Sequence, residues 1–139
     1  MKIIIASGYF DPIHVGHIEY LELAKALGDK LIVILNNDNQ CILKKGKYFM
    51  NYKERKKILE SIKFVDEVFE SIDHDQGVCK SIKAIADKYN GEEIIFAKGG
   101  DRFSSEVPEA KICKEEGIKI IDGLGKKIQS SSNLTGIKK

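Results

Sequence analysis

The stretch that decides the fold is Gly8-Tyr9-Phe10-Asp11-Pro12-Ile13-His14-Val15-Gly16-His17. An apolar, β-branched run from Lys2 to Ser7 precedes it and predicts a buried strand. Behind it, apolar residues recur at helical spacing and predict a helix over about 16–27, with Gly28 as its C-terminal glycine. The stretch is therefore a polar turn that leads into a helix N-terminus, where unpaired N–H groups carry partial positive charge and favour phosphate.

Two histidines, His14 and His17, lie where this helix begins. If the helix starts near Val15 or Gly16, both imidazoles face the same point as the free amides, and Gly16 lets a ligand approach the backbone. A lone histidine is ordinarily a satisfied core residue, but here a pair lies in a polar turn. A zinc site needs three or four ligands, whereas His74 is the only other histidine and no Cys-x-x-Cys occurs. The pair therefore suits a polyphosphate best.

Composition predicts one globular domain over residues 1–139, since 42% of the residues are hydrophobic and 32% are charged. A net charge of +2 does not require nucleic acid as a partner. No apolar run reaches membrane-spanning length, and the N-terminal run lacks the features of a signal peptide. Three widely spaced cysteines fit a reducing compartment. We therefore expect a cytoplasmic protein that binds neither membrane nor nucleic acid.

Strand and helix patterns alternate along the chain. Further strands are predicted over 30–35, 64–69, 93–97 and 118–121, and helices after Asn51 and over 77–89 and 106–116. This alternation predicts the α/β class, as a parallel sheet with helices on both faces. For a Rossmann-like sheet of five strands, the expected order is 3-2-1-4-5. The first strand carries no Gly-x-Gly-x-x-Gly, so a dinucleotide cofactor is not expected.

Three charged or polar segments follow predicted strands, at the edge where open parallel sheets bind ligands. The first is a lysine-rich segment, Cys41 to Met50, which we interpret as a loop able to close over phosphate charge. The second is Lys98-Gly99-Gly100-Asp101-Arg102, which should face the histidine turn. The third is a serine run, Ser130-Ser131-Ser132, before a final short helix. Solvated loops and simple helix caps are the alternative interpretations of these segments, and contact with nucleic acid is a further one for the lysine-rich segment.

The pattern Gly8-x-Phe10-Asp11-x-x-His14-x-Gly16-His17 resembles the signature of the cytidylyltransferase-like nucleotidyltransferases. This family includes glycerol-3-phosphate cytidylyltransferase, archaeal FAD synthase and the adenylyltransferase domain of ADP-heptose synthase. The segment 98–101 most resembles the last of these. The resemblance implies transfer of the NMP part of CTP or ATP to a sugar phosphate or polyol phosphate, with release of pyrophosphate. It also implies Mg²⁺ bound through the nucleotide phosphates, no metal ligands from the protein, and a homodimer.

The resemblance further implies the residues of the site. His14, His17 and Lys44 are the expected catalytic residues. Arg55 matches a family arginine that would meet the triphosphate or order the lysine loop, the alternative being an exposed helix charge. Asp11 would orient the turn or a metal-bound water. The other expected nucleotide-binding residues are Gly8, Tyr9, Phe10, Gly16, Lys47, Gly99, Gly100, Asp101, Arg102, Gln129, Ser130 and Ser131.

Two questions stay open: which acceptor the chain uses, and whether it is an enzyme or only binds nucleotide. The glycerol-3-phosphate enzymes carry Arg-Thr-x-Gly where this chain has Gly125-Lys126-Lys127-Ile128, which counts against glycerol 3-phosphate as acceptor. The chain could also be a non-catalytic, nucleotide-binding regulatory module on the same fold.

Overall fold

A computed structural model of the chain describes residues 1–75, 77–99 and 109–124. Its strands form one parallel sheet of five strands in the order β3-β2-β1-β4-β5, so the predicted class and strand order are confirmed. The strands are β1 (Lys2–Gly8), β2 (Lys30–Leu35), β3 (Glu67–Glu70), β4 (Glu93–Gly99) and β5 (Lys119–Leu124). The helices are α1 (Val15–Lys25), α2 (Asp38–Lys45), α3 (Tyr52–Glu60), α4 (Cys79–Lys88) and α5 (Glu109–Glu116).

The side chains of β1 show how the sheet is covered on both faces. Successive side chains of a strand point to opposite faces, so Ile3 and Ile5 share one face while Ile4 and Ala6 share the other. Ile3 and Ile5 belong to the core cluster that includes residues of α4 and α5. Ile4 and Ala6 belong to the cluster that includes residues of α1 and α3. Both faces are buried, which explains why the strand is a continuous apolar run.

The first half of the segment interpreted as a lysine-rich loop belongs to helix α2, so that part of the prediction was wrong. Asn37 caps this helix: its side chain accepts from the N–H of Gln40, and the side chain of Gln40 accepts from the N–H of Asn37. Gly46 ends the helix in a left-handed conformation with φ of +84°. These are recognisable signals for a helix start and stop, and the high lysine content concealed them.

Gly28 does not end helix α1, contrary to the prediction. The helix is capped by Ala26 in a right-handed conformation. A Cβ at Gly28 would lie 2.8 Å from the side chain of Ile4 and 2.8 Å from the carbonyl oxygen of Lys2. Glycine is therefore required by close packing of the α1–β2 connection on β1.

The point between β1 and β4 is where the chain reverses its direction across the sheet. From β1 it proceeds to β2 and β3, and it then crosses to β4 and β5 on the other side. Ligands of open α/β sheets bind outside the carboxyl ends of the strands at such a point. Within the described residues, no helix has the length and apolar character needed to cross a membrane.

Candidate active site

His14 and His17 cap helix α1 reciprocally. The Nδ1 atom of His14, the residue before the helix, accepts from the N–H of Gly16 at 3.1 Å. The Nδ1 atom of His17 accepts from the N–H of His14 at 3.0 Å. The two rings are stacked, with centroids 3.8 Å apart and planes inclined at 25°. The helix start thus holds both imidazoles in one fixed arrangement.

This arrangement determines which ring nitrogen is left for a ligand. A nitrogen that accepts a backbone N–H carries no proton, so the proton of each neutral imidazole resides on Nε2. Burial, reinforced by the neighbouring His14, lowers the pKa of His17 to about 4. His17 is therefore a neutral Nε2–H donor at pH 7.

Glycines at two positions make room for this pair. A Cβ at Gly16 would lie 3.1 Å from Cε1 of the His14 ring, so the space expected for an approaching ligand is taken by the capping imidazole. A Cβ at Gly8 would lie 2.9 Å from the ring of Phe10. Phe10 is buried, with a φ of +49°, and its ring meets that of His17 edge-on at 4.8 Å. Gly8 thus leaves room for the Phe10 ring, and that ring packs against the ring of His17.

Asp11 connects the histidine turn to the segment after α2. Its carboxylate accepts from the N–H groups of Phe49 and Met50 at 2.8 and 2.6 Å, and from Nζ of Lys45 at 2.9 Å. Burial alone raises the pKa of Asp11, but these donors outweigh it, and the pKa is lowered overall. The carboxylate is therefore ionised, and its contacts fit the predicted role of orienting the turn.

The two lysines at the end of α2 are held differently. Nζ of Lys44 lies over the Tyr9 ring, 4.5 Å from its centroid. Lys45 is fixed by the carboxylate and the backbone carbonyl of Asp11. Both lysines border a cleft of about 420 Å³, together with Tyr9, Phe10, Asp11, Pro12, His14 and His17. The structure thus brings the predicted Lys44 beside the histidine pair.

Arg55 is 1% exposed, so it is not an exposed helix charge. Its guanidinium donates to the carbonyls of Met50, Tyr9 and Asn36 at 3.0, 2.9 and 2.7 Å. It also pairs with Asp38 at 2.7 Å. Of the two functional roles considered, these contacts fit ordering of the loops, because the donors point into the protein.

The remaining predicted residues are placed less directly. Lys47 is exposed and does not border the cleft. Gly99 ends β4, next to β1 in the sheet. The other predicted residues lie outside the described residues: Gly100, Asp101, Arg102, Gln129, Ser130 and Ser131.

Sequence reasoning missed two residues, Lys45 and Tyr20. Lys45 was passed over because its neighbour Lys44 matched the family pattern. The Tyr20 hydroxyl donates to the Ala97 carbonyl at 2.6 Å and accepts from the N–H of Ser7 at 3.3 Å. Nothing in the sequence signalled these long-range contacts, since helical spacing assigns Tyr20 only to a partly buried face.

The fold and the site define an open parallel α/β protein with a capped histidine pair beside the carboxyl end of its central strand. The cytidylyltransferase-like family model matches residues 5–122, and this chain belongs to that family. The predicted family is thereby confirmed.

Several curated proteins are similar to this chain. Glycerol-3-phosphate cytidylyltransferase from Bacillus subtilis is 48% identical over 68 residues, which cover 49% of this chain and 53% of that protein. The bifunctional protein HldE from Helicobacter pylori is 36% identical over 82% of this chain and 23% of its own length. FAD synthase from Ferroglobus placidus is 33% identical over 86% of this chain and 72% of its own length. The match thus spans about half of the first relative and about a quarter of the second.

Among solved structures, the lipopolysaccharide core biosynthesis protein from Thermoplasma volcanium GSS1 has the same fold. It gives a TM-score of 0.67 at 24% identity, covering 88% of this chain and 95% of that chain. A bifunctional NMN adenylyltransferase/ADP ribose pyrophosphatase from Francisella tularensis gives a TM-score of 0.59 at 16% identity, covering 87% of this chain and 36% of that one. Identities this low bear on the fold alone.

Proposed function

We propose that this chain is a nucleotidyltransferase, which joins the NMP part of CTP or ATP to a sugar phosphate or polyol phosphate and releases pyrophosphate. The observation that carries the proposal is the reciprocal capping of His14 and His17, which leaves two Nε2–H donors beside two lysines in one cleft. Such a group stabilises negative charge on phosphate oxygens without offering a nucleophile. Membership of the cytidylyltransferase-like family supports the same activity.

The proposed reaction needs no covalent intermediate. An ionised phosphate oxygen of the acceptor attacks the α-phosphorus of the nucleotide in line. The bond to the oxygen that bridges the α- and β-phosphates breaks, and pyrophosphate departs with that electron pair. Catalysis then rests on positioning and on stabilising the charge that develops in the transition state. His14 and His17 donate to these oxygens, and the neutral form of His17 suits a donor that keeps its proton.

Lys44 is the proposed mobile cation of the site. It is exposed, and its contact with the Tyr9 ring is a cation–π contact, worth about 0.5–1 kcal/mol at an exposed position. That contact is weak enough to be exchanged for the α-phosphate or the acceptor phosphate. Gly99, Gly100, Asp101 and Arg102 stay predictions for the base, sugar or phosphate contacts. Gln129, Ser130 and Ser131 stay predictions for the distal phosphates, as does Lys47 for phosphate in general.

Mg²⁺ is proposed to enter with the nucleotide. The described part of the chain contains no group of three His, Cys, Asp or Glu side chains suited to a metal, and the Asp11 carboxylate is occupied by Lys45, Phe49 and Met50. Phosphate oxygens are therefore the expected ligands, and the ion would neutralise part of their charge.

Release of pyrophosphate tests the proposal. The protein is incubated with Mg²⁺ and either CTP or ATP, each with glycerol 3-phosphate, a heptose 1-phosphate or FMN, the acceptors that the family resemblance suggests. We expect release with one nucleotide and only in the presence of an acceptor. Nucleotide binding without release under every pairing would favour the regulatory module. The homodimer stays a prediction, which sedimentation velocity would test.

A further inference from the structure

The strands β1 and β4 separate before either of them ends. Their parallel register pairs Lys2 with Glu93 and continues to Ile5 with Phe96, where it stops. Nevertheless β1 continues to Gly8 and β4 to Gly99. The two strand ends thus diverge at the point where the chain reverses direction across the sheet.

The Tyr20 hydroxyl lies in the gap between the diverging strands. If the register continued, Ser7 would pair with Lys98. In a parallel ladder, a residue whose N–H faces the neighbouring strand donates to the carbonyl of the residue that precedes its register partner. The N–H of Ser7 would then donate to the carbonyl of Ala97. Instead, Ser7 donates to the Tyr20 hydroxyl at 3.3 Å, and that hydroxyl donates to Ala97 at 2.6 Å. One hydroxyl replaces the ladder bond and keeps both backbone groups satisfied while the strands stay apart.

Tyr20 also connects this gap to the histidine pair. It lies in α1 three residues after His17, so the two side chains are neighbours on one face of the helix. Ser7 is followed by Gly8, the last residue of β1 before the histidine turn, and Ala97 is followed by Lys98 and Gly99, which end β4. The Tyr20 side chain therefore connects α1, whose start is formed by the two histidines, to the carboxyl ends of β1 and β4.

We propose that Tyr20 is a positioning residue for nucleotidyl transfer, which holds the ends of β1 and β4 apart and fixes the histidine helix against them. The inference rests on the proposed function for its kinetic consequence. Its structural consequence, the placement of the histidine rings, is independent of that function.

Tyr20→Phe isolates the hydroxyl, because the ring and its packing are retained. Tyr89→Phe is a matched control: its hydroxyl also bridges two groups, accepting from Nζ of Lys30 at 2.7 Å and donating to Glu67 at 3.1 Å. Lys30 and Glu67 are the first residues of β2 and β3. This bridge therefore lies at the amino ends of the strands, whereas the cleft lies at the carboxyl end of β1.

Three measurements compare the two variants with the wild type: thermal unfolding, the ring 15N resonances of His14 and His17 without ligand, and kcat and KM for the nucleotide that the wild type uses. We expect both variants to unfold at slightly lower temperatures. Only Tyr20→Phe should move the histidine ring resonances and lower kcat/KM, by about tenfold for the loss of one bridging hydroxyl.

Unchanged ring resonances in Tyr20→Phe would overturn the inference, as would kinetic constants equal to those of Tyr89→Phe. If the wild type released no pyrophosphate with any pairing, the proposed function would fail. The ring resonances would then still decide the positioning role, because they are measured without substrate.

Discussion

At the scale of single residues, His17 combines a structural and a chemical role. Its Nδ1 atom accepts the N–H of His14 and so completes the start of α1. Its Nε2–H is left for a ligand in the cleft. Glutamine at the same helix position retains the first role, since its carbonyl can accept the N–H of the capping residue, while a flexible amide replaces the imidazole that borders the cleft.

His17→Gln should therefore separate the two roles. We expect a melting temperature close to that of the wild type, because the capping acceptor is retained. Turnover should fall by about 10²-fold or more, equivalent to roughly 3 kcal/mol of transition-state stabilisation. Pyrophosphate release and thermal unfolding of the same preparation provide the check. Turnover within a few-fold of the wild type would remove His17 from the proposed chemistry.

The pKa of His17 predicts a dependence of stability on pH. Burial lowers this pKa from 6.5 to about 4 in the folded protein. Above pH 6.5 the group is neutral in both states, and between pH 6.5 and 4 only the unfolded state takes up the proton. The free energy of unfolding should therefore decrease as pH falls through this window.

Urea unfolding at pH 7 and pH 5 measures this decrease, with His17→Gln as the control. The variant retains His14 and His74, so the difference between the two proteins isolates His17. Equal losses of stability in both proteins between these pH values would contradict the assignment.

At the scale of elements, the cleft depends on how α2 and α3 are fastened to the end of β1. Asp11 holds the segment after α2 through Lys45, Phe49 and Met50. Arg55, from α3, donates to the carbonyl of Tyr9 directly after β1 and to the carbonyl of Asn36 directly after β2. Lys44 therefore borders the same cleft as the histidines because two charged side chains fix the elements around it.

Arg55→Met should be strongly destabilising, because it leaves three carbonyls and Asp38 without their donor. We expect the free energy of unfolding to fall by about 3 kcal/mol or more. Lys56→Met is the control on the same helix; its pair with Glu60 is long, at 3.9 Å, and exposed, so the change should stay within about 0.5 kcal/mol. Urea unfolding measures both. A loss below about 1 kcal/mol for Arg55→Met would show that the network contributes little.

Asp11→Asn should loosen the segment after α2 while the sheet stays intact. An amide presents one acceptor oxygen where the carboxylate presents two, and it loses the charge that pairs with Lys45. We expect the amides of Phe49 and Met50 to exchange with solvent about tenfold faster, which hydrogen exchange followed by NMR would detect. Asp87→Asn, at an exposed pair with Lys83, should leave these amides unchanged. Slow exchange in Asp11→Asn would place the anchor of this segment elsewhere.

At the scale of the whole molecule, the proposed ligand should stabilise the fold, since its site joins β1, α1 and α2. At a concentration 100 times its Kd, a nucleotide that binds only the folded state adds about 2.7 kcal/mol. For a chain of 139 residues this corresponds to a rise in melting temperature of roughly 5–10 °C. Tripolyphosphate without a nucleoside should stabilise less, because it lacks the base and sugar contacts.

Thermal shift with CTP, ATP, GTP and UTP, each with Mg²⁺, therefore also reports specificity. A shift with CTP alone would indicate a cytidylyltransferase, and one with ATP alone an adenylyltransferase. Equal shifts with all four nucleotides and with tripolyphosphate would reduce the site to a general anion site.

The sequence by itself determined the α/β class and the position of the histidine pair at the start of α1. These follow from local patterns: apolar runs for strands buried on both faces, a polar turn before a helix, and alternation of the two element types. Helix α2 was not predicted, because the lysines near its end indicated a loop. Asn37, Gln40 and Gly46 are nevertheless local signals for the start and the end of a helix.

The tertiary structure alone decided which charges are buried and where they point. Arg55 is 46 residues from Tyr9 and 19 from Asn36, and Tyr20 is 77 residues from Ala97. Such contacts exist only once the sheet has assembled, because the carboxyl ends of distant strands then meet at one edge. Helical spacing predicts that a side chain faces the protein, but only the packed sheet determines which backbone group it meets there.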